Sequence, residues 1–359
     1  MKAIIPTGGR GTRMQPITFS ANKHFIPVAN KPLIFYPIEA VADAGIKDIL
    51  ITYNPNTLDM IRNYLGDGNR WGVKFTYVLQ EEPKGMANIF QVCERELKGE
   101  PFLLHNGDNI FMKGIKKPLD YFLKNKPNGL ITMVHHKENR RLGVPYFDKN
   151  KRLIEYVEKP ENPPHDFAVP GLYFFDHNVF KCFKGKDKIV PSARGELEIG
   201  DPYNWLIEHK YKVDVIEYDG RWLDPGKFDD WLEANQYLLD TTLEPKTESE
   251  VDSSSKIENR VSIGKDCKIV GSHIKGPLII GDNVEIKNSH IGPHLSVSDN
   301  CVIESSHVKN SVLMSGVKVI NVKRPIDSSL IGPGSEITDA DQHPSSIKLF
   351  IGEKSKLEL

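Results

Sequence analysis

The chain has 359 residues, which is longer than one typical domain, so we expect two domains. Its 47 Lys and Arg residues nearly balance 48 Asp and Glu residues, and the net charge of -1 argues against a nucleic-acid or membrane-surface partner. The cysteines are far apart and lack the spacing of a disulfide framework or a metal finger. The first residues are typical of a strand rather than a secretory leader, and no apolar run is long enough to span a bilayer. We therefore expect a cytoplasmic protein.

Short apolar segments alternate with amphipathic segments through the first two thirds of the chain. The apolar segments predict strands at residues 3–5, 48–52, 75–79, 102–104, 130–134, 153–157, 172–175 and 213–218. Amphipathic spacing predicts helices at residues 33–44, 86–97 and 228–239. This alternation is typical of a mixed, mainly parallel sheet covered by helices. We therefore predict an α/β, Rossmann-like domain over residues 1–240.

The composition changes after residue 240. Residues 241–256 are polar and rich in Ser and Glu, which predicts a linker. From Ile257 onward, aliphatic residues return every six residues with occasional steps of five, and several are followed by glycine. A six-residue repeat is typical of a parallel β-helix, in which each coil stacks its aliphatic side chains on the next. We predict a left-handed β-helix over residues 257–344 and a C-terminal tail over residues 345–359.

The loop after the first predicted strand carries the strongest functional signal. Glycines and arginines alternate in it, at Gly8, Gly9, Arg10, Gly11 and Arg13. Glycines let backbone N–H groups approach a ligand, and guanidinium groups favour a polyanion. The spacing fits neither the dinucleotide fingerprint nor the Walker loop. The loop therefore predicts phosphate binding by another pattern.

That pattern extends well beyond the glycines. The chain reads Gly-Gly-x-Gly-Thr-Arg-Met-x-Pro-x-Thr over residues 8–18, and Lys23 and a Lys-Pro pair at residues 31–32 follow. It resembles the signature of the sugar nucleotidyltransferases, in which Leu is common at the position of Met14 and Pro at the position of Asn22. The segments at residues 66–68, 71–72 and 107–111 resemble the glucose-1-phosphate thymidylyltransferases of that family. The appended β-helix resembles their long form.

The resemblance implies roles for particular residues. A sugar 1-phosphate would attack the α-phosphorus of a nucleoside triphosphate, and dTTP and glucose 1-phosphate are the implied substrates. The implied catalytic residues are Arg13, Lys23 and Lys159. The implied nucleotide contacts are Gly8, Gly9, Gly11, Thr12, Gln80 and Gly85. The implied sugar-phosphate contacts are Gly143, Glu158, Lys159 and Glu196.

Asp108 and Asp224 are the expected metal ligands. Asp108 follows the strand at residues 102–104, and Asp224 lies in a Trp-Leu-Asp-Pro-Gly segment. Carboxylate oxygens suit Mg²⁺, which keeps several waters and takes further contacts from substrate phosphates. Gln80 suits a pyrimidine because its amide can accept from N3–H and donate to O4. The attacking phosphate is already ionised, so no general base is expected.

Other functions remain open at this point. Gln80 would pair with uracil as readily as with thymine, so UTP is an alternative substrate. Acetyl transfer to amino-sugar phosphates by the β-helix is a second alternative, with His294 and His307 as candidate bases. A non-catalytic scaffold is a third, but Arg13, Lys23 and Asp108 are all present. We expect a homo-oligomer, because β-helix domains often assemble.

Overall fold

The computed structural model of the protein describes residues 1–9, 11–19 and 21–339. These residues form two compact units. Unit 1 contains Met1–Gly9 and Ile34–Leu223, and unit 2 contains the described parts of Arg10–Leu33 and Asp224–Leu359. Unit 2 therefore combines most of the loop that follows the first strand with the C-terminal part of the chain.

The strands up to Leu223 lie in unit 1, except for the short pair β2 and β3, which belongs to unit 2. They are β1 (Lys2–Pro6), β2 (Pro27–Val28), β3 (Lys31–Pro32), β4 (Asp48–Tyr53), β5 (Lys74–Leu79), β6 (Phe102–His105), β7 (Ile110–Phe111), β8 (Gly129–His135), β9 (Gly143–Phe147), β10 (Leu153–Glu158), β11 (Phe167–Ala168), β12 (Leu172–Phe175), β13 (Val213–Glu217) and β14 (Trp222–Leu223). The α-helices are α1 (Phe35–Asp43), α2 (Leu58–Leu65), α3 (Asn88–Leu97), α4 (Lys116–Asn125), α5 (Gly200–Glu208) and, in unit 2, α6 (Phe228–Thr242). Short 3-10 helices lie at Thr12–Met14, Ile17–Phe19, Lys23–Phe25, Asn69–Trp71, Asn139–Arg141 and His177–Phe183. The strands and helices predicted before residue 240 are confirmed, with ends that differ by a few residues.

The main sheet of unit 1 has the strand order β11-β8-β12-β6-β1-β4-β5, with β13 beside β8. Parallel pairs join β1 to β4 and β6, β4 to β5, and β13 to β8. β12 runs antiparallel between β6 and β8. The predicted mixed, mainly parallel sheet is therefore confirmed. The carboxyl ends of β1, β4, β5 and β6 meet at one edge, where such sheets bind ligands.

Aromatic side chains hold α3 against this sheet. The ring of Phe90 on α3 lies 5.2 Å from that of Phe102 and 5.1 Å from that of Phe175, and both contacts are edge-on. All three side chains are fully buried. Burying aromatic side chains in edge-on pairs is strongly favourable. The packing fixes α3, whose first turn lies just after the loop that leaves β5.

Parallel strands continue unit 2 after α6. They are β15 (Lys246–Thr247), β16 (Lys256–Glu258), β17 (Val261–Ile263), β18 (Lys268–Val270), β19 (His273–Lys275), β20 (Leu278–Ile280), β21 (Glu285–Lys287), β22 (His290–Ile291), β23 (Leu295–Val297), β24 (Val302–Glu304), β25 (His307–Val308), β26 (Val312–Leu313), β27 (Lys318–Ile320), β28 (Leu330–Ile331) and β29 (Glu336–Thr338). Their sheets have the orders β15-β17-β20-β23-β26-β28, β16-β19-β22-β25 and β18-β21-β24-β27-β29. Sheets of parallel strands in this repeating order form a β-helix and are consistent with the predicted left-handed form.

The coil length explains the aliphatic repeat in the sequence. Hydrogen bonds between neighbouring coils join residues 17 positions apart, such as Ser289 and Ser272. Seventeen residues divide over three faces as two steps of six and one step of five. On one face Ile269, Ile286 and Ile303 are aligned and almost completely buried. The predicted repeat of six residues with occasional steps of five is therefore the spacing between successive faces of a coil.

Part of the segment that the sequence predicts as a linker pairs with strands of the β-helix. β15 pairs in parallel with β17, and Val251 forms a bridge to Ile269. Both residues of β15 are exposed, so the strand is held by backbone hydrogen bonds rather than by an apolar pattern. The domain boundaries at residues 240, 256 and 344 remain predictions, and the predicted tail at 345–359 lies outside the described residues. No helix among the described residues has both the length and the apolar character to cross a bilayer.

Candidate functional site

The carboxyl ends of β1, β4 and β5 bring Gly8, Asn54 and Gln80 together in unit 1. A Cβ placed on Gly8 would lie 3.0 Å from Asn54 Oδ1 and 3.4 Å from Gln80 Oε1. Two amide oxygens therefore border the first glycine of the predicted phosphate loop. Asn54 Oδ1 is buried and, within the described residues, has no hydrogen-bond partner. Asn54 was not predicted, although its place just after β4 was a signal that could have found it.

The amide of Gln80 has a fixed orientation. Gln80 is 4% exposed, its backbone N–H donates to Tyr53 O, and its Nε2 donates to Asn88 Oδ1 over 3.1 Å. Asn88 is the first residue of α3 and in turn donates from Nδ2 to Gln91 Oε1. Gln80 Oε1 therefore remains on the side of Gly8. Asn88 is a positioning residue that the sequence did not reveal.

Gly85 lies in the loop between Gln80 and α3, with a φ of +101°. A Cβ there would lie 2.4 Å from Leu197 O, which no side chain tolerates. On either side, Leu197 N–H donates to Lys84 O and Ala87 N–H donates to Leu197 O. Glycine is thus required for close contact with the segment at residues 194–199. The predicted base-pocket loop and the loop that carries Glu196 are directly joined.

The predicted sugar-phosphate residues Gly143 and Glu158 form a pair in the β9–β10 hairpin. A Cβ on Gly143 would lie only 1.8 Å from Tyr156 Oη, so a side chain there would displace this tyrosine. Tyr156 Oη donates to Glu158 Oε2 over 3.4 Å. Lys159 follows at a φ of +50°, and its N–H donates to Leu142 O. The hairpin therefore brings Gly143, Glu158 and Lys159 into one group.

The surroundings of Glu158 shift the pKa of its carboxyl group in opposite directions. Its side chain is 19% exposed, and burial raises its pKa above the usual range. Lys159 Nζ lies 3.3 Å from Glu158 Oε1 and acts in the opposite direction. The carboxylate of Glu198 adds to the upward shift of this pKa, and the guanidinium of Arg194 counters it. A buried carboxylate with a shifted pKa beside a half-exposed lysine is the kind of arrangement found at functional sites.

Glu196 and Glu198 differ in their surroundings. Glu196 is exposed, and its carbonyl accepts from Ser192 N–H. The side chain of Glu198 is 13% exposed and accepts from Arg194 Nη2 at 2.8 Å and from Ser192 Oγ at 2.7 Å. Glu198 is thus the member of this run that acts on Glu158 electrostatically. Glu196 remains a predicted sugar contact, and Glu198 was missed.

Asp108 lies in the loop that leaves β6. Asn109 Nδ2 donates to Asp108 Oδ1 over 3.1 Å. Asn109 Oδ1 accepts from Gly171 N–H and from Trp222 Nε1. This buried asparagine ties the Asp108 loop to β12 and β14. Asn109 was not predicted, and its place in the segment at residues 107–111 is the one signal that points to it.

The predicted partner Asp224 is the first residue of unit 2 after β14. β14 pairs antiparallel with β7, with Leu223 opposite Ile110. Among the described residues, no group of three or more His, Cys, Asp or Glu side chains is arranged to hold a metal ion. Two carboxylates as the whole protein contribution would fit Mg²⁺, which retains waters and binds substrate oxygens.

Arg13 lies beside the segment that begins at Asp224, within unit 2. Arg13 Nη1 would lie 3.4 Å from a Cβ on Gly226, whose N–H donates to Asp224 O. Gly11 has a φ of +57°, and its carbonyl accepts from Thr18 Oγ1 at 2.8 Å. The glycine-rich loop therefore turns sharply just before Thr12 and Arg13. Arg10 lies outside the described residues.

Lys23 begins a short 3-10 helix that Asn22 caps. Asn22 Oδ1 accepts from His24 N–H over 3.0 Å. A side-chain acceptor before a helix satisfies one of its otherwise unpaired N–H groups. Asn22 stands where the resembled family commonly has Pro, and the cap gives a physical reason for it here. Lys23 is thereby fixed at the start of the helix.

The candidate bases for acyl transfer have other contacts in the β-helix. His294 Nε2 lies 3.0 Å from Asp240 Oδ1 at the end of α6. The ring of His307 lies 6.1 Å from that of His290 in the next coil, and burial is the main cause that lowers its pKa. These contacts are those of structural residues. They give no support to acyl transfer.

Comparison with known proteins identifies the family. The nucleotidyl transferase family profile matches residues 2–241. A glucose-1-phosphate thymidylyltransferase of Streptomyces griseus is 34% identical over 359 residues, covering 100% of this chain and 99% of the relative. The low-salt glycan biosynthesis nucleotidyltransferase Agl11 of Haloferax volcanii is 34% identical over 363 residues, covering 100% of each.

A solved structure aligns with part of this chain. A Bacillus anthracis protein assigned as a glucose-1-phosphate thymidylyltransferase, in complex with sucrose, aligns with a TM-score of 0.61 and 34% identity. The alignment covers 66% of this chain and 94% of that one. The full-length matches, by contrast, extend through the β-helix. This chain therefore belongs to the nucleotidyl transferase family.

Proposed function

We propose that this protein is a glucose-1-phosphate thymidylyltransferase, which forms dTDP-glucose and pyrophosphate from dTTP and glucose 1-phosphate. The observation that carries the proposal is the close approach of Gly8 and Gln80 at the carboxyl edge of the sheet. It puts a glycine-rich loop suited to phosphates beside an amide suited to a pyrimidine. The full-length relative from Streptomyces griseus has the same named activity.

The nucleotide would be bound by the loop and by the base pocket. Backbone N–H groups at Gly8, Gly9, Gly11 and Thr12 would contact the phosphates. Gln80 Oε1 would accept from the N3–H of the pyrimidine, because Asn88 already holds its Nε2. Gly85 would keep the loop beside the ring short and close to the Leu197 backbone.

The sugar phosphate would be bound by the β9–β10 hairpin. Lys159 would contact the phosphate of glucose 1-phosphate, and Glu158 would accept hydrogen bonds from sugar hydroxyls. The Gly143 backbone would pass close to the sugar, and Glu196 would contact the hexose from its loop. Lys159 Nζ lies 3.3 Å from Glu158 Oε1, which supports a shared role for the two groups.

Charge neutralisation and alignment would then be enough for the reaction. The phosphate oxygen of glucose 1-phosphate is already ionised at neutral pH and would attack the α-phosphorus in line. Arg13 would stabilise the charge that develops on the leaving pyrophosphate, and Lys23 would contact the nucleotide phosphates. No side chain needs to remove a proton.

Asp108 and Asp224 would hold Mg²⁺. Their carboxylates are hard oxygen ligands, and the ion would keep water or phosphate oxygens at its other positions. When bound, Mg²⁺ would supply neutralising charge for the phosphate oxygens of both substrates. We also expect the protein to act in the cytoplasm, where nucleoside triphosphates are available, and to assemble as a homo-oligomer.

Pyrophosphate release with a panel of nucleotides and sugar phosphates tests this function. We expect the highest kcat/KM for dTTP with glucose 1-phosphate. An equal or higher value with UTP would favour the uridylyltransferase alternative instead. A parallel reaction with acetyl-CoA and glucosamine 1-phosphate, followed by assay of free CoA, tests acyl transfer by the β-helix.

A matched pair of lysines tests the sugar-phosphate site. Lys159 and Lys151 both have positive φ, +50° and +60°, but Lys151 is exposed in the turn between β9 and β10. We expect Lys159→Ala to raise the KM for glucose 1-phosphate strongly and Lys151→Ala to leave it unchanged. Equal effects of the two substitutions would refute the assignment of Lys159.

A further inference from the structure

The β2–β3 hairpin of unit 2 forms a tight turn close to Lys23. Val28 and Lys31 pair across it, and the residues between them, Ala29 and Asn30, have φ of +49° and +58°. Two successive positive φ values match the two-residue turn that suits the twist of a hairpin. Along the chain, the hairpin lies between the 3-10 helix that begins at Lys23 and the start of α1.

The hairpin is joined to Lys23 through the backbone. Ile26 N–H donates to Lys23 O over 3.2 Å and ends the 3-10 helix. Leu33 N–H then donates to Ile26 O over 3.2 Å and closes the base of the hairpin. A displacement of the turn would therefore be passed on to Lys23 over a few residues.

The tip of the hairpin is bound to one coil of the β-helix. Asn30 Nδ2 donates to Val297 O over 2.6 Å, and Asn30 Oδ1 accepts from Ser298 Oγ over 3.4 Å. Val297 is itself fully buried in the aliphatic column. The contact is thus made to the rigid part of the coil rather than to an exposed corner.

Helix α6 completes the attachment through Asn235, which is 1% exposed. Asn235 Oδ1 accepts from Ala29 N–H at 2.9 Å and from Ser296 Oγ at 2.7 Å. Trp231, one turn earlier on α6, donates from Nε1 to Pro27 O at 2.9 Å. One buried amide oxygen therefore bridges the hairpin and the β-helix. Breaking one of these bonds would leave a buried polar group without its partner.

Ser296 lies between the column residues Leu295 and Val297, so its side chain points away from the aliphatic column. The aligned residues of the neighbouring coils are Ile279 and Val312. Ser296 is fully buried, and its hydroxyl points to Asn235 rather than along the coil. The two neighbouring coils have an aliphatic residue at this position, so the hydroxyl is explained by the attachment to α6.

We propose that this coil of the β-helix, through Ser296, Asn235 and Asn30, is a positioning element for nucleotidyl transfer. It holds the β2–β3 hairpin and, with it, the 3-10 helix that begins at Lys23. This inference rests on the proposed function for the role of Lys23. The β-helix would thus contribute to catalysis without touching substrate. Misplacing catalytic groups by about 1 Å can lower a rate on the order of 100-fold.

Asn30→Gly is the sharpest variant for a test. Glycine accepts the positive φ of the turn, so the substitution removes the side-chain bonds without straining the backbone. Asn283→Gly is the matched control, because Asn283 is an asparagine with a φ of +55° elsewhere in unit 2. Ser296→Ala and Ser289→Ala form a second pair, since both serines are buried in the β-helix and Ser289 bonds within it.

The measurements are kcat and KM with dTTP and glucose 1-phosphate, hydrogen exchange of residues 21–33, and the melting temperature. We expect Asn30→Gly and Ser296→Ala to lower kcat about 10- to 100-fold. Exchange of residues 21–33 should become faster, and KM for glucose 1-phosphate should change little. Asn283→Gly and Ser289→Ala should leave kcat and the exchange of residues 21–33 unchanged, even where Ser289→Ala lowers the melting temperature.

The outcomes separate this inference from the proposed function. Unchanged exchange of residues 21–33, or faster exchange with unchanged kcat, would overturn the positioning role. Equal loss of kcat in the control variants would overturn it too, because the effect would then be general destabilisation. If the wild-type protein released no pyrophosphate with any substrate pair, the proposed function would fail. The exchange measurement would then test only whether the β-helix coil holds the hairpin in place.

Discussion

Buried polar side chains occur both in the sheet of unit 1 and in the β-helix of unit 2, but they are satisfied differently. In the β-helix, Ser272, Ser289 and Ser306 repeat at the same position of successive coils. Each donates its hydroxyl to a carbonyl two residues earlier. Each of the first two also accepts an N–H from the serine of the next coil. These three serines therefore satisfy their buried hydroxyl groups in the same way.

Unit 1 contains polar groups that lack such a repeat. Within the described residues, Asn54 Oδ1 lacks a partner, and burial opposes the ionisation of Glu158. Such groups lower stability and are typical of sites that await a ligand. Repeated polar groups therefore indicate structure, and a single group that is unsatisfied or bonded outside its own element is a candidate for function. Among the buried serines in the described part of the β-helix, Ser296 is the one whose hydroxyl bonds to a side chain outside it.

Replacing a single charged group should affect rate far more than stability. We expect Arg13→Ala to lower kcat about 100- to 1,000-fold, because the charge it would meet grows in the transition state. Its side chain is exposed, so the melting temperature should stay close to that of the wild type. Steady-state kinetics with both substrates, together with thermal melting, check this.

Arg152→Ala is the control for Arg13, since Arg152 is exposed in the turn between β9 and β10. It should change neither kcat nor the melting temperature. A higher KM for both substrates with an unchanged kcat in Arg13→Ala would contradict a role in the transition state.

Replacing a repeated aliphatic should have the opposite result. Ile286 is fully buried in the β-helix column, and Ile286→Ala should lower the free energy of unfolding by about 2–5 kcal/mol. Below the unfolding transition, kcat should be close to that of the wild type, because Ile286 lies in a different sheet from Ser296. Ile154→Ala, at a residue 52% exposed, is the control and should change neither quantity. A lower kcat in folded Ile286→Ala would contradict the expected difference between repeated aliphatic residues and single polar groups.

The sequence was sufficient wherever the signal is local or periodic. The strand at residues 3–5, the glycines after it and the six-residue beat of Ile269 and Ile286 depend on neighbouring residues alone. β15 was missed because Lys246 and Thr247 carry no apolar pattern and are held only by backbone bonds to β17.

Residues that complete the site through long-range packing were also missed. Leu197 meets Gly85 only because two distant loops are hydrogen-bonded, and Asn235 meets Ala29 only through the packing of α6. Glu198 and Glu196 are neighbours in the same run, and only burial distinguishes them. A pattern in the chain reports which residue types are present but not which side chain is turned inward.

Substituting Asn88 should have a smaller effect, which tests whether Asn88 positions Gln80 in the base pocket. Asn88→Ala removes the acceptor for Gln80 Nε2, so we expect the KM for dTTP to rise about 3- to 10-fold, as for loss of one hydrogen bond. Asn88→Asp keeps an acceptor oxygen and should restore most of the affinity. Gln91→Ala removes only the exposed partner of Asn88 and should have no effect. If Asn88→Ala changed the KM for glucose 1-phosphate equally, the role of Asn88 in the base pocket would be wrong.

Substituting Glu158 should have the smallest effect, and that effect is on stability rather than on rate. Because burial raises the pKa of Glu158 in the folded protein, protonated Glu158 favours folding and ionised Glu158 opposes it. The stability it contributes is therefore present below the pKa of the unfolded chain and is lost as pH rises through the raised pKa of the folded state. Glu158→Gln should remove this loss, so its melting temperature relative to the wild type should increase from about pH 4 to about pH 7. Ser289→Ala, at a repeated group without charge, should show a difference from the wild type that does not depend on pH. A difference for Glu158→Gln that stayed constant or decreased over this range would mean that Lys159 and Arg194 outweigh burial, and that this single buried carboxylate does not lower stability.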